Sequence, residues 1–253
     1  MKKILLILLS CLLFGCQKID DNKTPLQKEL LTNNKIIIGI SPDYPPFELV
    51  KPDGEILGFD IDMIRMVVDN FNRNNNLNLG LVFKQMDFGN IAGAIETNQI
   101  DIGVSGFSYD PEKKVAFSTF YLESLQVVVV KKDSNIKTLA DLENKKIGAG
   151  LGTTGYKAAL DIKGAKVMNI GDYLYTFEAL KTNNIEAVVC DIAVANKYVG
   201  DNNFEILKES LVSDNLGIII NTKKKVLLEE INKAIAQFKA SSAYEQLRTK
   251  WGV

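Results

Sequence analysis

The sequence predicts an α/β protein with two lobes, the second inserted into the first. Apolar runs typical of buried strands alternate with segments of helical periodicity. The pattern of the first strand, KIIIGI at 35–40, restarts as KKIGAG at 145–150. The segment TNQID at 97–101 recurs as TNNIE at 182–186, each time between a helical segment and a strand. This weak internal repeat indicates two lobes built on one plan.

The order of the strands predicts where the lobes begin and end. We expect residues 35–125 and 217–253 to form lobe 1 and residues 126–216 to form lobe 2. The chain would leave lobe 1 near Leu125 and return through the run NLGIII at 215–220. These two antiparallel crossings would form a hinge. The tail from Leu227 to Trp251 has the spacing of one amphipathic helix that packs back on lobe 1.

The N-terminus has the pattern of an export signal. Lys2 and Lys3 precede a short apolar to weakly polar run over 4–15, which is too short for a permanent membrane span. The sequence Leu-Phe-Gly-Cys at 13–16 resembles a bacterial lipobox, so residues 1–15 are predicted as a lipoprotein signal peptide and Cys16 as the lipidated residue. A plain secretory peptide is the alternative. Residues 16–34 read as a polar tether in which a short helix at 26–31 is possible.

Composition narrows the possible partners. The full chain has 30 basic and 31 acidic residues, so loss of Lys2 and Lys3 leaves 28 against 31, a net charge of −3. No basic field for nucleic acid is present, which favours a small-molecule ligand. The sequence contains no His, which disfavours hydrolase chemistry, and we predict no metal site and no cofactor. Cys190 is left without a partner for an intramolecular disulfide.

The stretch from Asp87 to Lys114 is the best candidate for one wall of a ligand site. It reads as a helix, a strand and a polar loop, and ligands of α/β folds sit at the carboxyl ends of strands. A second loop, SPDYPPFE at 41–48, contains three prolines that fix the backbone and present Tyr44 and Phe47 rigidly. Together these loops predict a small-molecule cleft.

Six motifs, in order along the chain, carry a family resemblance. They are YPPFE at 44–48, GFDID at 58–62, DF at 87–88, SGFS at 105–108, GTT at 152–154 with Asp191, and KWG at 250–252. The chain from Lys35 to Val253 thereby resembles the extracellular solute-binding proteins of family 3, which deliver polar amino acids to ABC importers. The resemblance implies the type II periplasmic binding protein fold, a Venus flytrap of two α/β lobes joined by two hinge crossover strands.

The resemblance also implies roles for individual residues. Tyr44 and Phe88 correspond to aromatic walls against the ligand, with ordinary core packing as the alternative. Gly106 and Ser108 correspond to the loop that contacts the ligand's amino and carboxylate groups.

Lobe 2 would supply the remaining contacts. Thr154, at a helix start, corresponds to the carboxylate contact, with its N–H reinforced by the helix N-terminus and with a plain helix N-cap as the alternative. Thr153 is expected to line the site beside it. Asp191 corresponds to the acid that pairs with the ligand's α-ammonium, and its alternative is likewise an N-cap.

One departure from the family concerns the carboxylate. The family usually has an Arg five residues after the position of Ser108, and this chain has Lys113 there. Lys is a point charge without the planar fork of Arg, so it would hold a carboxylate with less geometric specificity. A solvated Lys113 beside Lys114 is the alternative.

The leading hypothesis is a monomeric, lipid-anchored receptor on the periplasmic or extracellular face of the cell membrane. It would bind a polar or neutral α-amino acid and present it to an ABC permease, without enzymatic activity. The weak preference for a neutral ligand comes from Ser41, because binders of cationic amino acids often carry an acid there. The alternatives are a dehydratase of prephenate-like or arogenate-like acids and a surface interaction lipoprotein with a degenerate pocket.

Overall fold

A computed structural model describes residues 23–32, 34–169, 172–200 and 203–253. The predicted signal peptide and Cys16 lie outside these residues. Within the described ranges, no helix has the length and apolar character needed to cross a membrane.

The chain alternates strands and helices throughout. Its first half contains α1 (Pro25–Glu29), β1 (Lys35–Ile40), β2 (Asp43–Tyr44), β3 (Glu48–Val50), β4 (Ile56–Leu57), α2 (Phe59–Asn75), β5 (Gly80–Gln85), α3 (Phe88–Glu96), β6 (Ile102–Gly103), β7 (Ala116–Phe117) and β8 (Leu122–Lys131). After a 3-10 helix (Leu139–Leu142) follow β9 (Lys146–Ala149), α4 (Thr154–Leu160), β10 (Lys166–Asn169), α5 (Tyr173–Lys181), β11 (Ala187–Asp191), α6 (Ile192–Val199), β12 (Phe204–Leu216), β13 (Ile219–Ile220), α7 (Lys225–Lys239) and α8 (Ser242–Trp251). The architecture is therefore mixed α/β, as predicted.

Two five-stranded sheets form the centres of the two lobes. The first has the strand order β5-β1-β6-β13-β7 and the second has the order β10-β9-β11-β8-β12. In each sheet, a parallel trio is followed by a fourth strand that runs antiparallel to it, and the fifth strand pairs antiparallel with the fourth. The predicted first strand, residues 35–40, matches β1 residue for residue.

A long antiparallel ribbon carries the chain between the lobes. β8 and β12 pair from Leu122 opposite Leu216 to Lys131 opposite Phe204. β8 follows β7 of the first sheet and β12 leads back to β13 of the same sheet, so both crossings lie in this ribbon. The ribbon fits the predicted hinge, and residues on it lie at the base of the space between the lobes.

The predicted internal repeat is visible in the backbone. Asn98 and Asn183 both adopt positive φ, at 55° and 61°. The hydroxyls of Thr97 and Thr182 each donate to the carbonyl four residues earlier, at the end of α3 and of α5. The same turn therefore closes the same helix-to-strand connection in both lobes.

Residues 24–31 contain the short helix that the sequence allowed within the predicted tether. α1 starts with a capping box between Thr24 and Gln27, and Leu26 and Leu30 are buried in the core of lobe 1. The Glu29 carboxylate accepts hydrogen bonds from the first backbone N–H groups of α7. A short helix with two apolar residues on one face is stabilised by this burial, so this part of residues 16–34 is packed on lobe 1.

The tail is also different from the prediction. Two helices, α7 and α8, replace the single helix expected over 227–251, and Ala240 and Ser241 separate them. The break lets Tyr244 of α8 pack edge-on against Phe238 of α7, with ring centroids 5.4 Å apart. Both helices contact α2, so the tail packs on lobe 1 as predicted.

Candidate functional site

A cleft of about 420 Å³ lies between the lobes. All eight residues predicted to contact a ligand line it: Tyr44, Phe88, Gly106, Ser108, Lys113, Thr153, Thr154 and Asp191. The volume suits a small molecule of the size of an amino acid. The structure thus brings the predicted residues of both lobes together, while their contact with a ligand stays a prediction.

Aromatic rings form two walls of the cleft. Tyr44 lies 5.0 Å, ring centroid to centroid, from Tyr173 of lobe 2, a residue that sequence reasoning missed. Phe88 stacks on Phe107 at 4.6 Å. Both predicted rings therefore pack against other rings and also line the cleft, so core packing and a ligand wall are compatible roles.

Asp191 is a buried carboxylate at the base of the cleft, only 2% exposed. It occupies the N-cap position of α6, but its side chain makes no capping hydrogen bond. Instead it accepts hydrogen bonds from the hydroxyls of Tyr44 and Ser124, the latter at 2.6 Å. Burial, opposed by these hydrogen bonds, raises the pKa of Asp191 to about 6.

No ion pair among the described residues includes Asp191. A buried carboxylate without a cation is costly, because hydroxyl groups replace only part of its lost hydration. The arrangement is suited to receive a positive group from a ligand.

Asp214 is a second buried acid near the cleft, and sequence reasoning missed it. It lies on β12 and is 4% exposed. Its Oδ2 atom accepts from Ser108 Oγ at 2.9 Å, Gln126 Nε2 at 2.9 Å and Thr154 Oγ1 at 2.7 Å. These donors come from lobe 1, the hinge ribbon and lobe 2, so Asp214 joins all three parts. Its signal in the sequence was its place directly before the predicted crossing run at 215–220.

Two further acids accept hydrogen bonds from the loop of lobe 1 at residues 105–108. Asp60 accepts the Gly106 N–H at 2.8 Å and the Tyr121 hydroxyl at 3.0 Å. Glu48 accepts the Ser105 hydroxyl. Burial raises the pKa of Asp60 to about 7 and that of Glu48 well above its usual range.

These two buried carboxyl groups interact with each other. One oxygen of each, Glu48 Oε2 and Asp60 Oδ1, is buried without a hydrogen-bond donor among the described residues, and the charge of Asp60 adds to burial in raising the pKa of Glu48. A carboxyl-to-carboxyl hydrogen bond requires that one of them is protonated. The Gly106 N–H predicted to contact a ligand is therefore already donated to Asp60.

The start of α4 corrects one assignment. Thr153, not Thr154, is the N-cap: its hydroxyl accepts from the Tyr156 N–H at 3.0 Å and donates to the Gly150 carbonyl at 2.8 Å. Thr154 is the first helical residue, and its hydroxyl donates to Asp214. Thr153 therefore has the capping role, and the side chain of Thr154 is left to contact Asp214 on the hinge ribbon.

Lys113 lines the cleft but is engaged with protein groups. Its Nζ donates to the Gly152 carbonyl of lobe 2 at 3.0 Å and lies 3.7 Å from Asp110. Asp110 also pairs across the lobes with Lys157 of α4 at 2.9 Å. The short segment 109–113 thus contacts lobe 2 directly, and the solvated alternative for Lys113 is wrong, since only 20% of its side chain is exposed.

Two further acids line the cleft. Asp43 and Asp87 both line it, and Ser41 donates a hydrogen bond to Asp43 at 2.9 Å. Burial, together with the charges of Asp172 and Asp87, raises the pKa of Asp43. These carboxylates therefore make the lining of the cleft near them electronegative.

The comparisons with known proteins agree with this geometry. The profile of bacterial extracellular solute-binding proteins, family 3, matches residues 36–253. An ABC transporter arginine-binding protein of Escherichia coli is 33% identical, with 86% of this chain and 90% of that protein covered. An arginine-binding extracellular protein of Bacillus subtilis is 26% identical over 99% of this chain and 98% of its own length.

The solved structures show the same two-lobed fold. A periplasmic binding protein of Salmonella typhimurium, described for its high arginine specificity, aligns with a TM-score of 0.78 and 30% identity. The alignment covers 87% of this chain and all of that one. Other curated relatives are named for histidine, cystine or glutamine. The chain therefore belongs to the bacterial extracellular solute-binding proteins, family 3.

Proposed function

We propose that this protein is the substrate-binding component of an ABC importer and that it captures a cationic α-amino acid, with L-arginine as the first candidate. Asp191 carries the proposal: it is a buried carboxylate that faces a cleft of amino-acid size and forms no ion pair within the described chain. A ligand ammonium group would supply the missing charge.

Two further acids of the cleft lining favour a ligand with a cationic side chain. Ser41 alone favoured a neutral ligand, but its hydroxyl donates to Asp43, which lines the cleft together with Asp87. These carboxylates would attract a guanidinium or ammonium group. The arginine-binding relatives support the same choice.

Closure of the lobes around the ligand is the proposed mechanism. Tyr44 of lobe 1 bonds Asp191 of lobe 2, and Asp110 of lobe 1 pairs with Lys157 of lobe 2. Such contacts exist only when the lobes are together, and a ligand that touches both lobes adds to them. The closed form would then be recognised by a permease, without any enzymatic step.

The proposal includes a location outside the cytoplasmic membrane. The family is extracellular, and Cys16 would anchor a monomeric receptor to the membrane through lipid. Incorporation of labelled palmitate in the wild type and its loss in Cys16→Ser would test the anchor.

A thermal-shift panel of twenty amino acids tests the proposed function. A ligand present at about 100 times its dissociation constant adds about 2.7 kcal/mol to the free energy of unfolding, so the correct ligand should raise Tm clearly. We expect arginine and lysine to give the largest shifts. No shift with any amino acid would contradict the proposal and favour a degenerate pocket, and turnover of prephenate or arogenate would favour the dehydratase.

A further inference from the structure

We infer that Glu48 and Asp60 hold one proton between them and that Glu48 is thereby a positioning residue for the ligand loop, residues 105–108. The inference rests on the proposed function for its effect on ligand affinity. The proton belongs to the free protein and can be tested without any ligand.

Both carboxyl groups lie in the core of lobe 1. Neither is accessible to solvent, and their neighbours in sequence, Phe47 and Phe59, are fully buried. Within the described ranges of the chain, no ion pair includes Glu48 or Asp60. Two ionised carboxylates would therefore place two negative charges in an apolar region without a cation, which is costly. One shared proton removes one of these charges.

Two oxygen atoms of the pair lack a hydrogen-bond donor. Glu48 Oε1 accepts the Ser105 hydroxyl, and Asp60 Oδ2 accepts the Gly106 N–H at 2.8 Å and the Tyr121 hydroxyl at 3.0 Å. Glu48 Oε2 and Asp60 Oδ1 are left, both buried and without a donor in the part of the chain that the structure describes. Because the two carboxyl groups interact directly, a proton on one of these oxygens can be donated to the other.

The surrounding titratable groups favour the protonated pair. The charges of Asp60, on α2, and of Asp43, on β2, add to burial in raising the pKa of Glu48. Burial likewise raises the pKa of Asp60 to about 7, and the charge of Asp191, on β11, acts in the same direction. Burial also raises the pKa of Tyr121 well above its usual range, so its hydroxyl keeps the proton that it donates. At pH 7.5 one proton therefore remains on the pair.

The pair connects the two loops that form the lobe 1 wall of the cleft. Glu48 ends the loop at 41–48 and accepts the hydroxyl of Ser105 from the ligand loop. Ser105 Oγ in turn accepts the Ser41 N–H at 3.3 Å. Without the shared proton, the like charges of Glu48 and Asp60 would repel each other where the two loops meet. The proton thus keeps the ligand loop in its position beside the loop that carries Tyr44.

Urea unfolding of the ligand-free protein tests the shared proton. The amide of Glu48→Gln can accept from Ser105 and donate to Asp60, but it does not titrate. If the native wild type keeps a proton that its unfolded chain has released, its unfolding equilibrium constant should rise about tenfold relative to that of Glu48→Gln between pH 7.5 and 8.5. A constant ratio of the two equilibrium constants over this interval would overturn the inference.

Infrared spectroscopy detects the proton directly, because a protonated carboxyl group has a higher C=O stretching frequency than a carboxylate. The wild type at pH 8.5 should show a protonated-carboxyl band that Glu48→Gln lacks. If Glu48→Gln does not fold, Asp60→Asn answers the same question, since an amide there can donate to an ionised Glu48 and should also remove the band. A wild type without this band would refute the shared proton.

Calorimetry with L-arginine at pH 7.5 tests the positioning role. Glu48→Ala removes both the acceptor for Ser105 and the group that shares the proton, so it should bind at least about tenfold more weakly than Glu48→Gln. Equal affinities of these two variants would overturn the positioning role. The matched control is Glu55→Gln on the same hairpin, where 58% of the side chain is exposed, and it should change neither the unfolding ratio nor the affinity.

The outcomes separate this inference from the proposed function. If L-arginine binds but the infrared band is absent, the shared proton is refuted and the proposed function stands. If the band and the pH-dependent ratio appear but the folded wild type binds neither L-arginine nor L-lysine, the shared proton stands. The positioning role then fails together with the proposed function.

Discussion

Replacement of Asp191 by Asn should have opposite effects on the stability of the free protein and on its affinity. The pKa of Asp191 is raised by burial from its ordinary value of 3.8 to about 6. Between these two values the native state keeps a proton that the unfolded chain has released, so stability is full below about pH 4 and falls as the pH rises to 6. At about 1.4 kcal/mol for each pH unit, the ionised carboxylate costs about 3 kcal/mol at neutral pH.

Asp191→Asn removes this cost, less about 1 kcal/mol for weakened hydrogen bonds from Tyr44 and Ser124. Urea unfolding of the ligand-free variant at pH 7.5 should therefore give a free energy of unfolding about 1 to 3 kcal/mol above that of the wild type. The gain should vanish below pH 4, where Asp191 is protonated in both states. Calorimetry should show a loss of about 2 to 5 kcal/mol of binding free energy, because the ligand cation loses its buried partner.

Asp69→Asn is the matched control, since Asp69 is exposed on α2 and distant in sequence from both walls of the cleft. It should change neither quantity. A ligand-free Asp191→Asn protein that is less stable than the wild type at pH 7.5 would contradict the calculated cost. Unchanged affinity would show that Asp191 does not receive the ligand's cation.

Three further substitutions probe other parts of the structure. Lys157→Met breaks the pairs with Asp110 and Glu112 across the lobes. It should weaken ligand binding two- to fivefold at low salt in calorimetry, with little effect at 1 M salt, because a partly exposed pair contributes about 1 kcal/mol and is screened by salt. Lys113→Met removes the hydrogen bond from Lys113 to the Gly152 carbonyl of lobe 2. It should weaken the binding of L-arginine and of agmatine, the amine left by decarboxylation of arginine, by the same factor in paired titrations. Glu29→Gln weakens the cap on Leu227 and should lower the free energy of unfolding in urea by about 1 kcal/mol without changing affinity.

Each of these has its own control and contrary outcome. Lys163→Met breaks a pair within lobe 2, to Glu143, and should leave affinity unchanged at every salt concentration. If the loss of ligand affinity in Lys157→Met did not depend on salt concentration, the ion pairs of Lys157 across the lobes could not be its cause. A loss for arginine alone in Lys113→Met would mean that Lys113 holds the carboxylate. Equal stability of Glu29→Gln and wild type would show that α1 does not cap α7.

Local patterns in the sequence predicted much of the fold. The continuous apolar run of β1 requires a buried strand, and the repeated Thr-Asn turns after α3 and α5 fix equivalent positions in the two lobes. These features depend on neighbouring residues only. The tail helix was predicted too long because its apolar spacing passes through the break at Ala240 and Ser241, which contain no strong helix-ending residue.

The site was predicted less completely because its contacts join distant segments. Asp214 reaches Ser108 across 106 residues, and Tyr173 faces Tyr44 from the other lobe. No periodicity relates such positions. The sequence shows that Lys113 stands where the family usually has an Arg. Only the structure shows that the Lys113 ammonium group donates to the Gly152 carbonyl.

One calorimetric titration of the wild type with L-arginine at pH 7.5 tests the central claim most directly. A receptor that places the ligand's ammonium against Asp191 should bind one molecule per chain with a dissociation constant of about 1 μM or lower, which corresponds to about −8.2 kcal/mol. Asp191→Asn should abolish most of this heat under the same conditions. Absence of arginine binding to the folded wild type, or equal binding by both proteins, would contradict the account.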